Sequence, residues 1–498
     1  MLLNLIADRW IPTRRSDGVS SVIRPDEITD PGLVFPDWPR PDLNIASLEF
    51  LIGLVLLADP PADRDDWEAR REPDSERLRT ALARIAPAFN LTGEGPLFLQ
   101  DLDLLEGEPN PPDMLFIDSA GGNTARNNAD LMVRRNRYPD LDLPLAAMAL
   151  YLLQAHAPSG GAGNRTSMRG GGPLVSLVDP GTGRLWDLIW ANVPYGKPAS
   201  PDVLPWTKPT RTSEAKGSET YPQHGHPAEA FFGMPRRLRL VTQAGRVTGV
   251  VQRPYGTNYA GWVHPLTPYY RQKPGAEPLP LHPRAGAFGY RNWLGVVLAM
   301  PEEREELGRR AKAVEEYYNE RCRYLSEPLP DPQIIVAGWS MDNMKPRDFI
   351  LSRQPLVPLD GEAALTLAAM IEAAEIFGSA LRGALKPVAG EGSALDALRE
   401  AFFIDTQFAF DAGVDALLRG DPRVQVAGAW VRALERVALH IFEQEALPGL
   451  DQRKAEEMEA IIAAHNGLRA VFAGWRRPGS DAYARLELEP RQKKKEAA

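Results

Sequence analysis

Between Gly160 and Gly172, six of thirteen positions are glycine, with Arg165 and Arg169 interleaved. Glycines let a backbone approach a ligand closely and turn its N–H groups toward phosphate oxygens. The spacing fits neither G-x-G-x-x-G after a strand nor G-x-x-x-x-G-K-[ST], and the preceding segment reads as a helix. Two readings stay open: a pliant connection, or backbone laid against a polyphosphate or into a groove. The two arginines favour the second.

A second candidate runs from Gly338 to Arg347, Gly-Trp-Ser-Met-Asp-Asn-Met-Lys-Pro-Arg. It follows an apolar strand and should be a tight, exposed loop, with turn chemistry from Asp342 and Asn343. Met341 and Met344 are placed as apolar wedges, and minor-groove readers combine such wedges with Asn/Gln and Lys/Arg. The plainer reading is a turn with two core methionines. Basic clusters add a third signal. Arg126 and Arg134-Arg135-Asn136-Arg137 flank an aperiodic segment, and Leu204–Pro254 holds eight Lys/Arg against three Asp/Glu, a local +5 in a chain of net charge −9. Arg237 and Arg239 fall on one face of a strand. Beside a Gly/Arg loop these clusters suggest a phosphate-tracking surface.

Catalytic patterns are sparse. Seven histidines are scattered, and H-E-x-x-H, G-x-S-x-G and a P-loop are all missing. His224-Gly-His226 is at most half a metal site, and the single cysteine, Cys322, excludes a disulfide framework and a Cys-rich zinc site. No catalytic residue, metal or cofactor is expected; the chain reads as a binder.

The elements that must position these residues divide in two. At 498 residues the chain exceeds one core, which stops growing near about 250–300 residues, so two or three domains are expected. The expected fold class is α+β: a large irregular mixed α/β N-terminal domain over 1–358, a C-terminal four-helix bundle over 359–475, and a flexible tail over 476–498. In the first, strands are expected at Leu2–Ile6, Pro96–Gln100, Val175–Val178, Leu185–Trp190, Arg236–Val241, Gly249–Gln252 and Gln333–Trp339. Helices are expected at Ile45–Leu57 and Leu143–His156, with a charged helix at Pro301–Leu325. In the bundle, Trp430, Leu434, Val437 and Ile441 form one stripe of a helix. The four helical segments are 361–386, 393–418, 424–446 and 451–474, joined by short turns. The start lacks a signal-peptide layout, and the longest apolar run near it, Phe50–Ala58, is half of the roughly 20 residues a bilayer needs. A soluble, cytoplasmic protein with no membrane partner is expected.

Taken in order, Asn4-Leu-Ile-Ala-Asp-Arg-Trp-Ile-Pro12, Pro96-Leu-Phe-Leu-Gln100, Asn127-Asn-Ala-Asp-Leu131, the Gly160–Gly172 stretch and Gly338–Lys345, closed by a helical bundle, resemble the large subunit of the type I-E CRISPR surveillance complex Cascade, the CasA family. The resemblance spans nearly the whole chain. It implies a non-catalytic subunit that recognises the PAM of double-stranded target DNA through the minor groove, helps to separate the strands and recruits a helicase-nuclease. The division of labour would be the RNA-guided one, in which protein reads the flank and base pairing reads the sequence. Implied partners are target DNA, CRISPR RNA, the backbone, 5′-end-capping and small subunits, and the helicase-nuclease.

By position, the family's glycine loop falls on Gly160, Gly161, Ala162 and Gly163, with Ala162 interrupting the run. Its amide wedge falls on Asn343, assisted by Met344 and Lys345. Its lysine finger has no lysine here, and Arg253 is the substitute. The loop docking on the guide RNA and a neighbouring subunit is Asn128–Arg135, including Leu131, Met132, Val133, Arg134 and Arg135. The competing readings are an enzyme that binds nucleotides or phosphate through Gly160–Gly172, and a scaffold subunit without DNA contact.

Overall fold

The computed structural model describes residues 2–119, 126–127, 134–161, 163–325, 330, 332–359 and 361–492. The chain forms two units, Met1–Ala285 with Met300–Leu356, and Gly286–Ala299 with Val357–Ala498. Segment 286–299, expected in the N-terminal domain, therefore belongs with the helices. Tyr290 explains why: its ring stacks on Phe410 at 4.4 Å and its hydroxyl meets Thr406 Oγ1 at 2.8 Å.

The first unit is built on helix α1 (Pro41–Ala58), apolar on every face and buried on nearly all. Phe50 at its middle meets Trp10, Phe98 and Tyr151 edge-on, with ring centroids 5.5, 5.7 and 5.5 Å away. Helices α2 (Arg64–Ala69) and α3 (Ser75–Ile85) follow, each capped by an aspartate, Asp63 and Asp74. Helix α4 (Leu143–His156) begins where Asp142 accepts the Leu145 N–H, with Pro144 in its first turn.

Strands β1 (Ile11–Arg15), β2 (Ser20–Ile23) and β3 (Leu33–Pro36) make one antiparallel sheet in the order β2-β1-β3. Strand β4 (Val175–Asp179) leads to helix α5 (Leu185–Asn192). Strands β5 (Arg237–Gln243) and β6 (Arg246–Arg253) form a hairpin. Strands β7 (Gln333–Asp342) and β8 (Lys345–Pro355) form a longer one, to which β4 adds antiparallel through Val175↔Ala337.

Several expected elements differ. Residues 185–190 are helical, not a strand: the run is apolar on both faces, so period cannot decide, and Trp186 and Trp190 stack at 5.1 Å one turn apart. Leu2–Ile6 contributes only the Asn4–Asn90 bridge. The segment around Leu97–Gln100 is a turn with Leu99 at φ 52°, its polar needs met by the Gln100 side chain bonded to Leu91 O and Leu240 N. The charged helix of 301–325 is broken into short pieces: Gly308 takes φ 112° and Arg309 bridges to Tyr269, and at the far end Arg321 turns inward to donate to Ala191 O and Val193 O, both at 2.9 Å.

In the second unit, α6 (Gly361–Ala384), α7 (Ser393–Leu418), α8 (Arg423–Ala446) and α9 (Ala455–Phe472) pack as four long helices. Phe377 stacks on Phe472 at 4.3 Å, and the Trp430 indole donates to Met370 O at 2.9 Å. The stretch expected as a flexible tail carries regular structure within its described residues. It forms α10 (Gly479–Arg485), held by the Tyr483 hydroxyl on Phe472 O and an Arg485–Glu372 ion pair of 2.9 Å. These two side-chain contacts fix it where periodicity gave no signal. By length and composition α1 and α6 could each cross a bilayer; 83% of the first and 50% of the second is buried in the fold.

Candidate nucleic-acid interface

The glycine-rich segment leaves α4 and returns to its own starting point. Ser167 N–H donates to Ala157 O at 2.9 Å and Gly172 N–H to His156 O at 3.1 Å, closing a compact loop. Its base is pinned by Arg169. The guanidinium, 2% exposed, lies 2.7 Å from Glu49 Oε2 on α1 and donates to Thr267 Oγ1 at 3.2 Å. The His156 ring meets Glu49 Oε1 at 2.8 Å, and His264 Nε2 lies 3.9 Å from Oε2. Burial pushes the Glu49 carboxyl up, but Arg169 and His156 outweigh it and hold the group well below the usual carboxylate range. Burial, and Arg169 beside it, drive His264 to its neutral form. Arg165 is also turned inward, donating to Ser213 Oγ at 2.8 Å and Ser213 O at 2.9 Å. The two arginines expected to meet phosphate are thus structural, which withdraws the argument they gave for phosphate reading.

The apex holds Gly160, Gly161 and Gly163; Ala162 lies outside the described residues. Gly161 and Gly163 have φ of +63° and +81°. A Cβ on Gly161 would meet nothing within 4 Å, whereas one on Gly163 would lie 2.8 Å from the Tyr255 ring. Tyr255 N–H donates to Gly163 O at 2.8 Å, and Gln252 Nε2 donates to Asn164 Oδ1 at 3.0 Å. The apex is therefore stitched to the end of β6, where Arg253 sits. Alternation carries the exposed Arg253 side chain away from Gln252; its guanidinium lies 3.5 Å from where a Cβ on Gly107 would stand.

The returning limb of the loop packs on the β7–β8 hairpin. A Cβ on Gly172 would stand 2.5 Å from Trp339 O and 2.8 Å from Met341 Cε, so only glycine passes there. Met341 is half-buried by that contact and is not a free wedge. The strands extend further than expected, leaving only Asn343 and Met344 in the turn, with φ of 49° and 61°. Positive φ at both positions is the requirement of a type I′ turn, which normally takes Asn-Gly. Met344 is 49% exposed, and the Asn343 amide donates to Asp342 Oδ1 at 2.9 Å. Lys345 is exposed, with no carboxylate partner among the described residues. One loop thus touches both the end of β6 and the outer half of β7.

In the expected docking loop, Asn128, Leu131, Met132 and Val133 lie outside the described residues, while Arg134 and Arg135 are exposed. Its stem is tightly built. Arg137 pairs with Asp118 at 2.8 Å, Arg40 pairs with the same carboxylate at 3.1 Å, and Phe116 stacks on Tyr138 at 4.4 Å. Burial alone would raise the Asp118 pKa, but these guanidiniums bring it down to about 2.

The expected phosphate-tracking surface of Leu204–Pro254 is largely spent inside the fold. Arg237 pairs with Asp101 at 2.5 Å, Arg239 donates to Asp101 O, Arg246 pairs with Asp140 and Arg211 with Glu229. Arg236 is buried against Pro158 O, and burial lowers its pKa to about 10. Lys208, Lys216 and Arg253 form no ion pair among the described residues, though Lys208 still acts on the nearby Asp202. Spacing alone missed this, because the acids that quench these arginines lie far away in sequence. Tyr255 and Ser213, which hold the apex, were also missed; Pro254-Tyr-Gly256 was their only local signal.

Proteins of known structure share this architecture. The CasA (Cse1) of Thermus thermophilus superposes with a TM-score of 0.69 at 20% identity, covering 94% of this chain and 98% of its own. The Cse1 of Thermobifida fusca gives 0.72 at 18%, covering 97% and 98%. A chain from a CRISPR RNA-guided surveillance complex gives 0.71 at 18%, covering 94% and 99%. No curated protein matches the sequence. The model of the family described as CRISPR-associated protein Cse1 matches residues 4–441, and the chain belongs to that family. This is the CasA family that the ordered motifs resemble.

Proposed function

We propose that this chain is the non-catalytic large subunit of a Cascade complex and that it reads the PAM of duplex DNA through the minor groove with the Gly160–Gly163 apex and the Asn343–Met344 tip. The observation that carries this reading is the packing of Gly172 on Trp339 and Met341, which ties the glycine loop to the hairpin while Gly161 and Met344 stay open to solvent. Backbone without side chains suits close approach to a groove, and an amide beside an exposed thioether suits insertion at a base step. The fold shared with a chain of an RNA-guided surveillance complex supports CRISPR RNA and other Cascade subunits as partners. The exposed Arg134 and Arg135 on their rigid stem would dock there. A cytoplasmic location and recruitment of a helicase-nuclease complete the proposal.

The test uses the assembled complex with guide and target duplex. Gly161→Asp brings bulk and negative charge to phosphate and should abolish binding to duplexes with a good flank, read by filter titration. Asn343→Ala should slow strand opening more than initial binding, read by a base-analogue fluorophore in the duplex. Wild-type affinity for the first variant, or failed assembly with unchanged opening for the second, refutes the assignment.

A further inference from the structure

The segments 203–211 and 223–229, with Met234 and Thr257, line a half-open cavity of about 410 Å3 that the glycine loop and the hairpin do not share. Lys208 and His224 stand exposed at its rim, and Glu229 is buried in its floor.

Its two histidines have fixed tautomers. Tyr221 N–H donates to His224 Nδ1 and Ala228 N–H donates to His226 Nδ1, each at 3.2 Å. A ring nitrogen that accepts carries no proton, so in the neutral ring the proton sits on Nε2. Burial, opposed by Glu229, favours that neutral form for His226. Neither Nε2–H has a partner among the described residues. Coordination of a metal through Nε2 would move the proton to Nδ1, against a backbone N–H. As built, His224-Gly-His226 is a pair of donors and not half a metal site.

Other donors join them. Thr210 Oγ1 is enclosed without a hydrogen-bond partner, and Lys208 forms no ion pair within 4 Å among the described residues, the exposed Asp202 outside the lining being a more distant neighbour. Glu229, the one acid of the lining, is already satisfied: the Arg211 guanidinium contacts it, and that side chain also donates to His224 O at 3.0 Å. With Arg211 and Glu229 cancelling, Lys208 leaves the site with one net positive charge. With unpaired N–H, O–H and ammonium groups outnumbering the free side-chain acceptors, of which Gln223 supplies one, the lining asks for an anion rich in acceptor oxygens. The volume lies in the range of small-ligand pockets, roughly 300–1,000 Å3.

We propose that this cavity binds a phosphate group, supplied either by a free phosphorylated small molecule or by a nucleic-acid strand, separately from the groove-reading elements. The full chain is titrated with inorganic phosphate, followed by phosphorus-31 line broadening, and with a fluorescent oligothymidylate decamer, followed by anisotropy. Saturable phosphate binding is expected. It should weaken about tenfold in Lys208→Ala and more in His224→Ala/His226→Ala, and survive in His224→Gln/His226→Gln, whose amide N–H groups stand near Nε2. Competition between decamer and phosphate identifies a strand as the source; phosphate binding alone identifies a small molecule. No saturable binding, equal affinity in the alanine variants, or stoichiometric zinc binding lost in those variants overturns the proposal.

Discussion

The glycine loop and the β7–β8 hairpin tip are neighbours held in opposite ways. The loop has no internal ladder, and its shape comes from distant residues: Glu49 on α1, Thr267, Ser213 and Tyr255. The tip takes its shape from ten registered pairs of one local ladder, which forces Asn343 and Met344 into left-handed backbone. A surface loop can therefore be as determined as a strand when a buried ion pair secures its base. An exposed tip can carry strain when the ladder behind it is long. Rigid presentation is reached by both routes, but only the first depends on the core.

The sharpest test of that contrast is Arg169→Met. It leaves Glu49 buried without its guanidinium, and losing one partner of a buried pair costs about 3–5 kcal/mol. Urea unfolding should register that loss, and Glu49→Leu/Arg169→Met should regain most of it. The hairpin should stay protected from hydrogen exchange in a double variant that folds, while the loop loses protection. If both lose protection equally, the loop is not separately secured.

Next in size is the pair Gly163→Ala and Gly161→Ala. Both place a methyl group on left-handed backbone, at about 1–2 kcal/mol each. Only Gly163 also drives a Cβ to 2.8 Å from the Tyr255 ring, so its variant should lose a further 1–3 kcal/mol, by the usual scale of overpacking. Equal losses in thermal or urea midpoints would mean the apex is not stitched to residues 254–255.

The stem at Asp118 offers a smaller effect with a pH signature. Its carboxyl titrates at about 2 in the folded chain, against about 3.9 when unfolded. A depressed value adds stability that is fully present above about pH 4 and is lost as pH falls toward 2. Asp118→Asn should remove that slope and cost about 1–2 kcal/mol at pH 7, after screening at a partly exposed site. An unchanged slope between pH 4 and 2 would show that the stem is held by its stacked rings instead.

Legibility in the sequence followed the range of the interactions. The four long helices were readable because period and turn residues are local: Ser393–Leu418 matches to the residue, and Gly361, Pro422 and Pro448 mark their limits. The β5–β6 hairpin and strand β7 were readable for the same reason, whereas β8 was not. Helix α5 was not, since Trp186, Ile189 and Trp190 are buried on both faces and carry no period. The glycine loop was recognisable by composition, but its chemistry was misassigned. Arg165 and Arg169 are indistinguishable in sequence from solvent-facing cations, and only the fold brings Glu49 and Ser213 to them. Likewise the surplus of cations in 204–254 is real as a count and mostly absent as a field, because Asp101, Asp140 and Glu229 sit against it.

The least costly perturbation falls on the tip. Met344 occupies the position at which a type I′ turn prefers glycine, and its left-handed backbone costs about 1–2 kcal/mol. Met344→Gly releases that strain but adds freedom to the unfolded chain, so the net gain should be about 0.5–1 kcal/mol. A rise in the urea midpoint with slower strand opening in the assembled complex would mean that the side chain is kept for function at the expense of stability. A rise in stability with unchanged opening would assign insertion to Asn343 alone, and would leave the hairpin tip differing from the glycine loop in strain but not in the use made of its side chains.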